Sequence, residues 1–389
     1  MKKIIEVLYL ILAFLSPFGS ANIFNLGQYS TRLDSDDGGI LPVFFGLCTI
    51  VSVCDKNIRK HFSFIRPIIV TLILFVATLL LGELLYCNGN FGYVYFIKLC
   101  VAILGFVMMT QTFIAYPLIL KRSLLVYSLT TLGIVLAFFL GFLENSYYYS
   151  NGRLWFLGVN PNTYSFMVGF AIINFVIYIH QDDTTIWNKI LSATSIVPLF
   201  FFLLLSGSRG SLLFLLLAII IIYYKKLIYL VIVGVLSLVL LGTYLSNSNY
   251  EISTFDRMSQ IGSGSEREVL IERTMTIFKQ SPVLGVGPTG YKSNMLLKYN
   301  EERDSHNVMI SNLALGGVLG TLFYLFFLIQ LLKLVNVPSR YKLYSIAIYI
   351  YMTLVSLKTG NVLTYSLMWY IYAIVLSLSY VGRLSLSNK

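Results

Sequence analysis

From Pro67 to Gly82 the chain carries no charged side chain, nor does it from Ser123 to Leu143 or from Val308 to Leu332. A helix needs about 20 mostly apolar residues to cross the hydrocarbon layer of a bilayer. Stretches near that length recur at 4–20, 39–54, 66–86, 92–112, 123–143, 163–180, 189–206, 210–224, 227–245, 308–332, 342–357 and 362–381. Some are short enough to require tilt or close packing. Composition excludes a soluble fold. Of the 389 residues 57% are hydrophobic and 12% charged, against about 45–50% and about 25% in soluble domains. The expected fold is all-α, a polytopic membrane protein of about 12 transmembrane helices. Glu6 interrupts the first apolar run and Ser16-Pro17-Phe18-Gly19 is a poor cleavage site, so that run is expected to be a span and not a signal peptide.

A net charge of +11 would suggest nucleic acid in a soluble protein. In a membrane protein it reflects cations that anchor cytoplasmic loops, so no nucleic-acid partner is expected. Alternate loops carry Lys2 and Lys3; Lys56, Arg59, Lys60 and Arg66; Lys121 and Arg122; Lys189; Lys225 and Lys226; Lys333, Arg340 and Lys342; Arg383 and Lys389. The intervening short loops hold only Arg32, Arg153, Arg209 and Lys358, and the acidic segment Asp34-Ser35-Asp36-Asp37 lies among them. The positive-inside rule then places both termini in the cytoplasm. The chain divides into spans one to nine (1–245), one long external loop (246–307) and spans ten to twelve (308–389). Long loops in compact proteins are functional or disordered. This one is amphipathic and glycine-punctuated, which favours function.

Within the loop, 264–280 has helical periodicity, with Ser265 as N-cap and Glu268 as its capping-box partner. Leu270, Ile271, Met275, Ile277 and Phe278 share one face; Glu268, Glu272, Thr276, Lys279 and Gln280 share the other. Arg267 falls near the centre of the apolar face and Arg273 at its edge. A first-turn arginine can simply snorkel to water; the alternative is a guanidinium aimed into an enclosed cavity. His306 is the only imidazole on the external side, preceded by Asp304, and a neutral ring there can accept a proton near pH 7. Arg209 lies in Ser206-Gly207-Ser208-Arg209-Gly210-Ser211, a connection too short to stand clear of the bilayer, where charge is costly and usually paired or functional. Arg153 precedes Leu154-Trp155-Phe156, aromatic residues suited to an interfacial belt. Glu83 and Lys98, near the outer ends of spans three and four, are expected to pair, and Glu6 to face a neighbouring helix.

In this order the pieces resemble the O-antigen polymerase and O-antigen ligase superfamily. The resemblance is carried by Gly-Arg…Asn-Pro-Asn at 152–162, Ser-Gly-Ser-Arg-Gly at 206–210, Ser-Glu-Arg at 265–267 and Pro-Val-Leu-Gly-Val-Gly at 282–287. His-Asn at 306–307 and Leu-Ala-Leu-Gly-Gly-Val-Leu-Gly at 313–320 complete it. The family often has tryptophan about four residues after the equivalent of Arg267, where this chain has Ile271, a conservative departure. The resemblance implies a GT-C-like membrane glycosyltransferase of the bacterial cytoplasmic membrane. Its transfer would be inverting and metal-independent, with no cofactor, from a glycan on undecaprenyl pyrophosphate. Lipid-linked oligosaccharide donor and acceptor, membrane lipids, a flippase and a chain-length regulator are the implied partners.

The residue types suit that chemistry. A leaving pyrophosphate needs fixed cations, and arginine binds phosphate oxygens bidentately. Arg153, Arg209, Arg267 and Arg273 are the candidate phosphate ligands. His306, Arg267 and Arg209 are the candidate catalytic residues, with Glu266 or Glu268 as substitute bases. No external acidic cluster has metal-ligand spacing. Polymerase is favoured over ligase within the superfamily. A polysaccharide exporter or flippase, the reading from another class, would carry midplane charges, broken helices and internal repeats; here the cationic features gather on the external side.

Overall fold

A computed structural model describes residues 1–18, 40–58, 62–87, 89, 91–143, 146–150, 153–157, 160–181, 184–226, 266–301, 303–359 and 362–387. Among them the chain forms thirteen α-helices and one small β-hairpin. Helices α1 (Lys2–Leu15), α2 (Ile40–Val53), α3 (Phe62–Tyr86), α4 (Tyr93–Ala115) and α5 (Pro117–Phe139) come first. Strands β1 (Tyr147–Ser150) and β2 (Arg153–Phe156) pair antiparallel, Tyr148 opposite Trp155. Then follow α6 (Pro161–Ile179), α7 (Ile186–Leu205), α8 (Arg209–Ile222), α9 (Glu266–Phe278), α10 (Gly287–Tyr299), α11 (Val308–Val335), α12 (Lys342–Ser356) and α13 (Ser366–Ser387).

Seven of these, α3 to α7, α11 and α13, are long and apolar enough to cross a membrane. The apolar helices α2, α8 and α12 are shorter. The span expected at 227–245, the loop residues 246–265 with Ser265, and the acidic segment 34–37 lie outside the described residues. On α3, Val70, Ile73, Leu74, Leu81, Leu84 and Leu85 are exposed. An apolar stripe of that extent is stable only against lipid or another protein. By contrast α6 is buried on every side from Tyr164 to Ile177, and α13 from Ser366 to Ser379. These two helices form the centre of the bundle.

Polar side chains stitch the interior. Tyr9 Oη meets Ser52 Oγ at 2.9 Å and Thr112 Oγ1 at 3.0 Å, joining α1, α2 and α4. Tyr351 Oη donates to the Phe166 carbonyl at 3.2 Å, joining α12 to α6. Glu6 forms an ion pair with Arg122 on α5. Glu83, for which the sequence suggests Lys98, instead places each oxygen on a backbone amide. Oε1 accepts from Gly92 N at 2.7 Å, at the start of α4, and Oε2 from Thr289 N at 2.9 Å, in the first turn of α10. A carboxylate at two helix N-termini satisfies orphan donors and complements both dipoles.

The two glycine-rich motifs form a single joint. Helix α11 breaks at Gly317, whose φ is 64° and ψ −164°. The segment before α10 inserts there: Val286 N donates to Ala314 O at 2.9 Å, Val318 N to Pro282 O at 2.8 Å and Leu319 N to Val283 O at 3.2 Å. Backbone groups freed by the break are thus paired within the protein, as a membrane interior requires. A Cβ at Gly317 would collide with the Val283 carbonyl. A Cβ at Gly285, also left-handed at φ 71°, would meet the Leu315–Gly316 peptide. Among the described residues the hairpin is the one departure from the all-helical expectation. Alternation in Arg153-Leu154-Trp155-Phe156 puts Leu154 and Phe156 inward, where Phe156 packs on Phe138, Tyr164 and Phe202.

Candidate active site

The ends of α5 and α7, the hairpin, and the starts of α6, α8, α9, α10 and α11 share one end of the bundle with the α12–α13 connection. There the Asn-Pro-Asn and Ser-Gly-Ser-Arg-Gly motifs meet. Asn160 caps α6 by accepting from Asn162 N at 2.9 Å, and Pro161 occupies the first turn, where its missing N–H costs nothing. Asn162 Oδ1 then accepts from Arg153 at 2.5 Å and from Ser208 Oγ at 3.1 Å. Ser208 Oγ also contacts Ser211 Oγ at 3.0 Å, and Ser165 Oγ donates to Ser206 Oγ at 2.7 Å. This network ties the hairpin to the α7–α8 turn, so Arg153 is bound into the frame around Arg209.

Arg209 is the first residue of α8, and Arg267 lies in the first turn of α9. Cations at helix N-termini oppose the macrodipole, so both are placed where local stability disfavours them. They are also close enough to repel. Burial, then the Arg209 charge, holds Arg267 below its ordinary range. A third cation joins them. Lys358, in the turn after α12, is lowered by burial and then by Arg267 and Arg209. Its side chain is also exposed, so solvent screens part of that repulsion. Among the described residues no carboxylate pairs with Arg267 or Lys358. Arg209, Arg267 and Lys358 thus form, among the described residues, a cluster of positive charge suited to a multiply charged anion.

Helix α9 connects this cluster to His306. Leu270, Thr274 and Ile277 are buried along one stripe and Arg267 continues it, while Glu268, Glu272, Thr276, Lys279 and Gln280 are exposed. Two turns beyond Arg267, roughly 10 Å at 1.5 Å per residue, Thr274 Oγ1 contacts Tyr291 Oη at 3.0 Å. The Tyr291 hydroxyl also meets the Ser305 backbone; burial pushes its pKa up, and Asp304 adds to the rise. His306 follows with φ 49°. Asp304 Oδ1 accepts from His306 N at 2.9 Å and lies 3.4 Å from Nδ1. Asn307 caps α11 by accepting from Met309 N at 3.0 Å and Ile310 N at 3.3 Å. Arg273 is held elsewhere, 4.0 Å from Glu301 and over the Tyr299 ring at 5.0 Å. The Glu301 carboxyl is lowered to about 2, chiefly by its hydrogen bond from Arg303.

Cations from three separate segments therefore converge, and the buried stripe of α9 links them to the Asp304–His306 pair. Residues 194–325 match the O-antigen ligase family. The match supports the O-antigen polymerase and ligase superfamily, whose members are glycosyltransferase-like enzymes acting on lipid-linked glycans and lipids. The matched segment holds Arg209, Arg267, Arg273 and His306; Arg153 and Lys358 lie outside it. No curated protein matches the chain. Among the described residues no group of three or more His, Cys, Asp or Glu is placed to hold a metal. Lys358 is the residue that sequence reasoning passed over. In sequence it is a lone lysine in a short loop, and only its contact with α8 brings it to the site.

Proposed function

We propose that the protein is a metal-independent, inverting glycosyltransferase that polymerises undecaprenyl-pyrophosphate-linked oligosaccharide repeat units on the outer face of the cytoplasmic membrane. The observation that carries this reading is the convergence of Arg209 and Arg267 at one end of the bundle, in the first turns of two helices that do not favour them. Their guanidinium forks meet the donor's pyrophosphate oxygens and stabilise the charge that develops as the anomeric C–O bond breaks. Arg153 holds the surrounding turn through Asn162. The acceptor hydroxyl attacks the anomeric carbon from the opposite face, the lipid pyrophosphate leaves with the bonding pair, and His306 takes the hydroxyl proton. Asp304 beside Nδ1 favours the tautomer that leaves Nε2 basic.

The deciding experiment is transfer by purified protein in nanodiscs, from a synthetic lipid-pyrophosphate repeat unit, with and without EDTA. A ladder of lengthening lipid-linked products, unchanged by chelator, is expected. Activity lost in EDTA and restored by a divalent ion would rule out the arginine-only mechanism. The second reading is a ligase, favoured by the family description matched over 194–325. It predicts transfer to a non-repeat acceptor and no ladder. Export without chemistry fits less well, because the cations lie at one end of the bundle and the break in α11 is filled by protein backbone.

A further inference from the structure

We propose that Lys358 is a third phosphate-binding cation of this site, delivered by the α12–α13 connection and acting with Arg209 and Arg267 on the diphosphate group. The inference rests on the glycosyltransferase reading and adds a residue outside both the matched region and the motifs of 150–320. Lys358 is exposed, yet it lies against α8. Its stem lies along the first turns of α8: a Cβ built on Gly210 would be 2.8 Å from Lys358 Cδ and 3.1 Å from Nζ. Nζ stands 5.5 Å from the centre of the Phe214 ring, one turn further along α8. Glycine at 210 is thus what allows the lysine to lie against the residue next to Arg209.

The cleft at this contact is lined by Asn162, Ser208, Gly210, Ser211, Phe214 and Lys358. Its polar neighbours are neutral amide and hydroxyl groups, and among the described residues the charges that act on Lys358 are Arg209 on α8 and Arg267 on α9. A lysine drawn toward two arginines gains nothing from them. A structural lysine would relax away along its flexible stem. A diphosphate presents more charge and more acceptor oxygens than one guanidinium fork can meet. A compact ammonium with three donors complements two planar forks. The contact with Phe214 holds the ammonium in register for that role.

The test is binding of inorganic pyrophosphate to the full-length protein in nanodiscs, by titration calorimetry, alongside transfer from a lipid-pyrophosphate donor. Lys358→Met should weaken pyrophosphate binding about 10-fold or more, the worth of one charge-assisted contact. Lys358→Arg should retain most of the affinity. Gly210→Ala keeps all three charges but pushes the lysine stem aside, so it should weaken binding by an intermediate factor. Wild-type affinity in Lys358→Met, with affinity lost in Arg267→Met, would overturn the proposal and leave the transferase reading standing. Absence of pyrophosphate binding to the wild-type protein would also overturn it. Weakened binding in Lys358→Met, with no transfer from any lipid-pyrophosphate donor, would support the lysine's role while removing the glycosyltransferase reading.

Discussion

His306 adopts φ 49°, a left-handed conformation that few non-glycine residues visit, and Asp304 contacts both its amide and its ring. General-base assistance contributes typically about 10²–10⁴-fold. His306→Ala is therefore expected to slow single-turnover transfer by that factor while donor affinity, assigned to the cations, stays near wild type. His306→Gln should be as slow; a fast glutamine variant would make the side chain a hydrogen-bonding group only. Lys358 gives a second test through pH. Its pKa lies below the ordinary 10.5, lowered by burial and then by Arg267 and Arg209. A bound anion raises it again, so binding takes up a proton between the two values. Pyrophosphate affinity should be insensitive to lysine ionisation below the anion-free pKa and fall as pH rises above it. Lys358→Arg should flatten the profile to the ligand's own titration, and an unaltered profile in that variant would detach Lys358 from the anion.

At the scale of elements, the inserted segment and the break in α11 make the clearest stability test. Gly317→Ala puts a methyl group against the Val283 carbonyl and strains a residue at positive φ and extended ψ; the backbone penalty alone is about 1–3 kcal/mol. A lower thermal midpoint in detergent is expected, with greater protease sensitivity around 281–290. An unchanged midpoint would mean that the insertion is dispensable. This joint was not legible in the sequence. Glycines at 285 and 317 announce unusual backbone, but which turn fills which break is a long-range fact. Helix α9 was legible, because a 3.6-residue period fixes which side chains share a face. Leu270 and Ile277 are buried and Glu268 and Glu272 exposed, as that period requires. Thr274 escaped notice because its polarity conceals an inward position stabilised by Tyr291. The hairpin escaped because its alternation is only four residues long and its aromatics suit an interfacial belt equally well.

For the whole molecule, alternating loops account for much of the plan. The described helices run back and forth so that Arg153, Arg209, Arg267, His306 and Lys358 gather at one end, away from Lys121, Lys189, Lys225 and Lys342. On the proposed reading, the positive-inside rule would make the second end cytoplasmic. Reporter fusions at Lys225 should read cytoplasm and at Asn300 the outside. An external signal at Lys225 would remove the case for chemistry on the outer face. Glu83 adds a constraint in time. Its carboxylate needs two amides, one only 9 residues further along the chain and the other 206 residues away. During synthesis the first arrives as soon as the following turn emerges, while the second waits until most of the protein has been translated. In that interval α3 and α4 stand in the bilayer with a half-satisfied acid between them. Late arrival of α10 thus completes an early helical pair, and a truncation before Thr289 leaves that pair a target for membrane quality control.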